Sequence, residues 1–432
     1  MRRSGSKNQP ALYFLLRAFR HRNYRLFFGG QGVSLIGTWM QQIAISWMVY
    51  RLTNSALLLG LIGFAGQFPS FLLSSLAGVM ADRKNKLHLL IVLQALAMIQ
   101  AFILAFLTLS DRIMIWHLFA LTIGLGMVNA FEIPTRQSFV VEMLDRKEDL
   151  GNAIALNSFM FNSARLVGPS VAGLLIGLMG EGVCFLLNAI SFVAILGALV
   201  AMRIPKRKRP VQTTPVWHGL REGFRYAFGF APIRYMLLLL ALFSLMGTPY
   251  LVLMPVFARD VLHGGPHTLG FLMGASGIGA LLGALFLASR KTVLGLGRLI
   301  GVATGIFGCI LIAFALSKDL PLSLLLMAGL GFCMILVMAS TNTILQTIVE
   351  EDKRGRIMSL YVMSLMGMGP FGALLAGTVA HRLGAPDALI MGGVCCIAGS
   401  FLFLFKLPRF RRKVRPIYMR MGIIEEMPTE LH

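Results

Sequence analysis

Two ionisable residues lie where water is scarce in this 432-residue chain: Glu132 near the end of one apolar run and Arg165 well inside the next. Charge within a bilayer is costly unless it is paired or hydrated, so each needs a partner or a task. Arg136, one helical turn after Glu132, is one candidate partner, and Arg165 is another. Glu132 either takes up and releases a proton, coupling proton movement to a structural change, or forms a permanent ion pair that locks two helices. Arg165 shares a helical face with Ser158, Asn162 and Pro169, at spacings of three or four residues. Ser34, Thr38, Gln42 and Ser46 make a similar polar stripe in the first apolar run, with Gln31 and Gln41 beside it. Asn342 and Gln346 stand one turn apart in a later run. Stripes of this kind on separate helices can line one wet passage. The expected cavity lining is therefore Ser34, Thr38, Gln41, Gln42, Ser158, Asn162, Asn342 and Gln346.

Other chemistry finds no constellation. An enzyme embedded in a membrane needs clustered catalytic groups such as paired Asp, a Ser/His pair or His-rich metal spacing. The 8 His residues are dispersed. No Gly-x-x-x-x-Gly-Lys-Ser/Thr loop occurs for a nucleotide. The five cysteines, Cys184, Cys309, Cys333, Cys395 and Cys396, lie in apolar runs without metal-ligand company, so they read as small packing residues and disulfides are not expected. The expectation is a protein that is not an enzyme and holds no metal or cofactor.

The elements that must position these residues are membrane helices. Hydrophobic residues make up 56% of the chain and charged residues 13%, about half the charged share of a soluble domain. Of 40 Lys and Arg, 34 fall into seven short patches, at 2–25, 83–86, 136–147, 203–234, 290–298, 353–356 and 406–420. Between patches the chain is apolar for long enough to cross a bilayer out and back. A bilayer sorts charge this way, because inner loops retain Lys and Arg. Seven patches and six excursions give twelve crossings, with both termini in the cytoplasm. The runs fall near 27–50, 55–80, 87–109, 114–134, 151–179, 183–202, 234–257, 268–288, 299–316, 321–347, 357–381 and 386–405. They must be helices, since backbone in lipid has to satisfy its own hydrogen bonds, and the alternating pattern of a β-barrel is missing. No cleavable signal peptide is expected, because the first run is long and lacks a small-residue cleavage site. The net charge of +22, divided among the loops, suits anionic lipid headgroups rather than nucleic acid.

The chain also repeats. Ala81-Asp82-Arg83-Lys84 and Ala288-Ser289-Arg290-Lys291 close the second and eighth crossings, and Gly168-Pro169 and Gly369-Pro370 lie in the fifth and eleventh. Both offsets are close to half the length, which predicts two pseudo-symmetric six-helix halves, 1–202 and 233–406. A linker at 203–232 joins them, with an amphipathic stretch from Trp217 to Tyr226 suited to the inner membrane surface. Residues 407–432 form a cytoplasmic tail.

Gly78-Val79-Met80-Ala81-Asp82-Arg83-Lys84-Asn85-Lys86 resembles the Gly-x-x-x-Asp-Arg signature of the major facilitator superfamily, with Asn85 where a second Gly is usual. The resemblance implies that fold, and a cytoplasmic latch made by Gly78, Asp82 and Arg83. A carboxylate is stabilised at a helix N-terminus, which suits such a latch. Phe19-Arg20-His21-Arg22-Asn23-Tyr24-Arg25, Glu132-Ile133-Pro134-Thr135-Arg136-Gln137, Leu150 to Ser158 and Ala164 to Gly173 are similar to the bacterial subfamily of enterobactin exporters and macrolide efflux proteins. Gly168, Pro169 and Gly173 match an antiporter-like motif, whose flanking glycines are Ala164 and Ala172 here.

By that resemblance the chain is expected to be a proton-coupled exporter of a small amphipathic molecule, a siderophore or drug-like compound, in the bacterial inner membrane. Its implied partners are its cargo, protons and membrane lipids, with no obligate protein partner. A lysolipid or lipid flippase, a solute importer, or a membrane receptor that does not transport are the alternatives.

Overall fold

The computed structural model describes residues 16–204, 224–290 and 292–424, with the side chains at 74–76, 78–79, 81–83, 147 and 352 outside that description. Six helices follow the short turn Arg17–Arg20: α1 (Arg22–Thr53), α2 (Ala56–Arg83), α3 (Lys86–Leu109), α4 (Ile115–Phe139), α5 (Leu150–Met179) and α6 (Glu181–Ala201). Six more follow: α7 (Ala231–Val261), α8 (Pro266–Ser289), α9 (Leu296–Leu316), α10 (Leu320–Ile348), α11 (Lys353–Leu383) and α12 (Ala385–Arg420). No strand occurs among the described residues.

Eleven of these helices are long and apolar enough to cross a membrane, among the described residues. The remaining one, α1, is 32 residues long and falls short in hydropathy. Its deficit comes from the polar residues Gln31, Ser34, Thr38, Gln41, Gln42 and Ser46. The helix most diluted by polar groups is one of those expected to line a passage.

Two helices are locally irregular, α7 by widening and α11 by a break. Pro249 has no N–H and crowds the carbonyl four residues back, and the turn before it, Phe243–Gly247, opens so that the Thr248 N–H reaches the Phe243 carbonyl at 3.1 Å. In α11 the helix is interrupted between Met366 and Gly369, ahead of Pro370.

The chain packs as two compact units, residues 1–48 with 72–212, and residues 49–71 with 213–432. Within the first, α3 lies along α6; within the second, α9 lies along α12, the pair six helices further on. In the second unit α8 and α10 meet backbone to backbone. A Cβ added at Gly279 would fall 1.8 Å from the Ala328 carbonyl oxygen, and one at Gly331 would fall 1.9 Å from that of Ser276. Small residues permit this approach where water supplies no hydrophobic drive between helices.

The helix containing the run at 386–405 continues to Arg420. Leu407, Phe410, Val414 and Tyr418 recur at three- and four-residue spacing and are buried, so packing sustains the helix after the charges begin. Asp82 and Arg83 end α2, but the side chains of Gly78, Asp82 and Arg83 lie outside the described residues. Most of the expected linker, 205–223, and the acidic end of the tail, 425–432, also lie outside them.

Candidate functional site

Glu132 is buried on α4, 8% exposed. The Nε of Arg136 donates to its Oε1 at 2.7 Å, and the Nε2 of Gln94, on α3, donates to the same oxygen at 3.2 Å. Of the two partners open to Glu132 in the sequence, the structure supplies Arg136. The Oε1 of Gln94 is buried and has no hydrogen-bond partner among the described residues. An amide beside a carboxylate can turn to donate or to accept, so this group is able to serve either protonation state of Glu132.

Arg165 is also buried, on α5, with its guanidinium carbon 5.8 Å from the ring centroid of Trp39 on α1. The Trp39 ring meets Phe161 edge-on at 5.7 Å. A cation over an indole face is attracted by the ring quadrupole, and a planar guanidinium stacks there well. Gly168 makes the approach of α5 to α1 possible, since a Cβ there would fall 2.5 Å from the Trp39 Cβ and 2.9 Å from the Ile36 carbonyl oxygen. Pro169 and Gly173 are buried beside it in α5.

The polar stripes separate by burial. Ser34 and Gln41 are buried, Thr38, Asn162 and Asn342 are half-buried, and Gln42, Ser158 and Gln346 are exposed. Several of these groups are occupied within their own helix. The Thr38 hydroxyl donates to the Ser34 carbonyl, the Ser158 hydroxyl to that of Ile154, the Asn162 amide to that of Ser158, and the Gln346 amide to Asn342 Oδ1 at 2.6 Å. Gln41 is the centre of a buried relay. Its Nε2 donates to Gln100 Oε1 at 3.0 Å, and Asn188 Nδ2 donates to its Oε1 at 2.8 Å. The relay ties α1 to α3 and α6.

A family model described as transmembrane secretion effector, of the major facilitator superfamily, matches residues 15–420. The chain belongs to that family. It is a secondary active exporter of small molecules and not an enzyme. Similar proteins include the staphyloferrin A transporter of Staphylococcus aureus, 26% identical over 88% of this chain and 95% of that one. Others are the multidrug efflux pump Tap of Mycolicibacterium fortuitum, 27% identical over 88% and 93%, and macrolide efflux protein A of Streptococcus pyogenes, 25% identical over 88% and 96%. Among solved structures, a bacterial homolog of the human lysosomal transporter Spinster, inward-facing and occupied, aligns with a TM-score of 0.69 at 14% identity over 94% of this chain and 99% of that one. A POT family transporter in complex with 5-aminolevulinic acid aligns with a TM-score of 0.70 at 12% identity over 90% and 96%. These two likenesses confirm the fold.

In this secretion effector the segment around Phe19–Arg25 docks on the start of α5 at one end of the first unit. The Tyr24 hydroxyl lies 2.9 Å from the Ala153 carbonyl and 3.1 Å from Asn157 Oδ1, and Asn152 Oδ1 accepts from the Ala18 N–H. The ring of His21 lies between Asp145 and Asp149. Lys86 reaches Glu142 at 3.4 Å.

Gln94, Gln100, Asn188 and Asp260 also join these polar contacts and are not among the residues expected from the sequence. An amide in an apolar crossing is itself a signal, because it must find a partner there, and it would have found the first three. Tyr50 and Asp260 gave none. In the second unit the Tyr50 hydroxyl donates to Asp260, and Arg259 Nη1 donates to Asn54 Oδ1 at 2.7 Å, joining the end of α1 to the end of α7.

Proposed function

We propose that the protein is a proton-coupled exporter of an anionic or neutral amphipathic molecule, with Glu132 as the coupling group and Arg165 facing the cargo. The observation that carries this is the buried carboxylate of Glu132, held by Arg136 on one side and by an amide with a free acceptor on the other. Protonation of Glu132 releases Arg136 from its pair and lets Gln94 turn to accept, so the local packing has two arrangements. Arg165, buried on α5 beside Trp39, is a positive group on a polar stripe, and such a group at the passage favours an anionic or neutral cargo. The likeness to the staphyloferrin A transporter supports a siderophore as that cargo.

Transport proceeds by alternating access between two six-helix halves, 1–202 and 233–406, in the bacterial inner membrane, with both termini cytoplasmic. Asp82 and Arg83 form the cytoplasmic latch. The basic loops and the family support this orientation.

The test is uptake into inverted vesicles or proteoliposomes under an imposed pH gradient. Glu132→Gln should abolish gradient-driven movement while leaving the protein folded, inserted and able to exchange cargo at equilibrium. Gradient-driven transport that persists in that variant removes Glu132 from the mechanism. Cargo exchange that is lost along with it points to a structural pair.

A further inference from the structure

Where α12 leaves its apolar run and α9 begins, the second unit contains a cavity of about 460 Å³. Arg298, Arg411, Arg412 and Arg415 line it, and none of the four makes an ion pair or hydrogen bond among the described residues. Tyr418 lines it too. This tyrosine is 8% exposed, and its hydroxyl has no hydrogen bond among the described residues. Leu407, Phe410 and Val414 form an apolar wall beside the arginines. The cavity also takes in the first turn of α9, whose N-cap Gly295 offers no side-chain cap, so the positive end of the helix dipole adds to the field.

The four arginines are exposed along one cavity wall, with no carboxylate among its described lining residues, so the wall carries a positive field that attracts an anion. We propose that this cavity binds the phosphate headgroup of an anionic phospholipid, with the arginines forked on the phosphate, the Tyr418 hydroxyl donating to it, and the upper acyl chain against Leu407, Phe410 and Val414. Arginine suits a phosphate through paired N–H bonds. The volume lies within the range of small-ligand sites. An amphipathic anion is favoured over a soluble one by position, because the apolar run of α12 ends and its basic run starts at this level. The proposal does not depend on what the protein exports.

The experiment is native mass spectrometry of the full-length protein in detergent, titrated with phosphatidylglycerol, with phosphatidylcholine, and with glycerol phosphate as a soluble competitor. Phosphatidylglycerol should occupy a saturable site, and R298Q/R411Q/R415Q should weaken it on the order of a hundredfold. R22Q/R25Q/R203Q, which removes the same charge elsewhere, should leave it unchanged. Y418F should weaken binding several-fold, and with R411Q alone it decides the matter if the triple variant loses helix content or aggregates. Equal binding of phosphatidylcholine, or equal loss in both triple variants, overturns the site. Glycerol phosphate competing on equal terms assigns it to a soluble anion and overturns the lipid. Binding seen only after residues 425–432 are removed, which carry Glu425, Glu426 and Glu430, means that the chain's own tail fills the cavity and likewise overturns it.

Discussion

Arg136 and Glu132 face each other across one turn of α4, with Nε 2.7 Å from Oε1, and the carboxylate is 8% exposed. A buried pair is worth little against an apolar replacement, but removing one member leaves a charge stranded. Arg136→Gln should therefore destabilise the protein by about 3 kcal/mol, and adding Glu132→Gln should restore part of that loss. Thermal unfolding of the purified protein in detergent checks both. A double variant no more stable than Arg136→Gln would mean that the two charges do not act as a pair.

The membrane helices were legible because a bilayer writes itself into sequence twice, in apolar length and in the sorting of Lys and Arg. Their ends were less so. Charge marks where α12 leaves the lipid, whereas Phe410, Val414 and Tyr418 decide where the helix stops, and the two differ by fifteen residues, from 405 to 420. Glu132 and Arg165 stood out because charge is rare in such runs. Arg136, one turn along, was legible as a partner of Glu132; Gln94 was not, since it lies 38 positions away and only the packing of α3 on α4 joins them. Polar spacing alone also put Gln41 with the cavity lining, while its amide is held between Gln100 and Asn188.

Arg165 holds its guanidinium carbon 5.8 Å from the centroid of the Trp39 ring. Arg165→Lys keeps the charge and loses the planar, forked guanidinium. Transport of an anionic cargo should fall several-fold, mainly through a higher KM, with thermal stability within about 1 kcal/mol of the parent. Concentration-dependent flux in proteoliposomes measures it. An unchanged KM would reduce Arg165 to a source of positive potential.

Gly168 sits where α5 touches α1, and a methyl group there would press on Trp39 and Ile36. Gly177, further along the same helix, has nothing within 4 Å of the Cβ it lacks. Gly168→Ala should cost about 1–3 kcal/mol by overpacking, while Gly177→Ala should be neutral or stabilise by up to about 1 kcal/mol through the helix backbone. Comparing the two melting temperatures separates a contact from a propensity effect. Equal shifts would show that α5 is free to move away from α1 at Gly168.

His21 places Nδ1 2.9 Å from Asp145 Oδ2 and Nε2 3.0 Å from Asp149 Oδ2, and only the imidazolium can donate to both. Arg17 also faces Asp149, at 3.6 Å. Burial opposes protonation of His21, but the hydrogen bonds to Asp145 and then Asp149, with their charges, outweigh it and raise its pKa above the ordinary 6.5. When the ring loses its proton, Nδ1 can instead accept from the Asp145 N–H, 3.2 Å away. A raised folded-state pKa means that the stabilisation is full below about 6.5 and fades as pH climbs through the higher folded value. The docking of Arg17–Arg20 onto the start of α5 should therefore loosen as pH rises from that ordinary value upward. Amide exchange over residues 17–25, corrected for its intrinsic pH dependence, should rise across that window in the parent. In His21→Asn it should start higher and stay flat. A parent protein whose corrected exchange is flat as well would show that His21 is held there as a neutral ring.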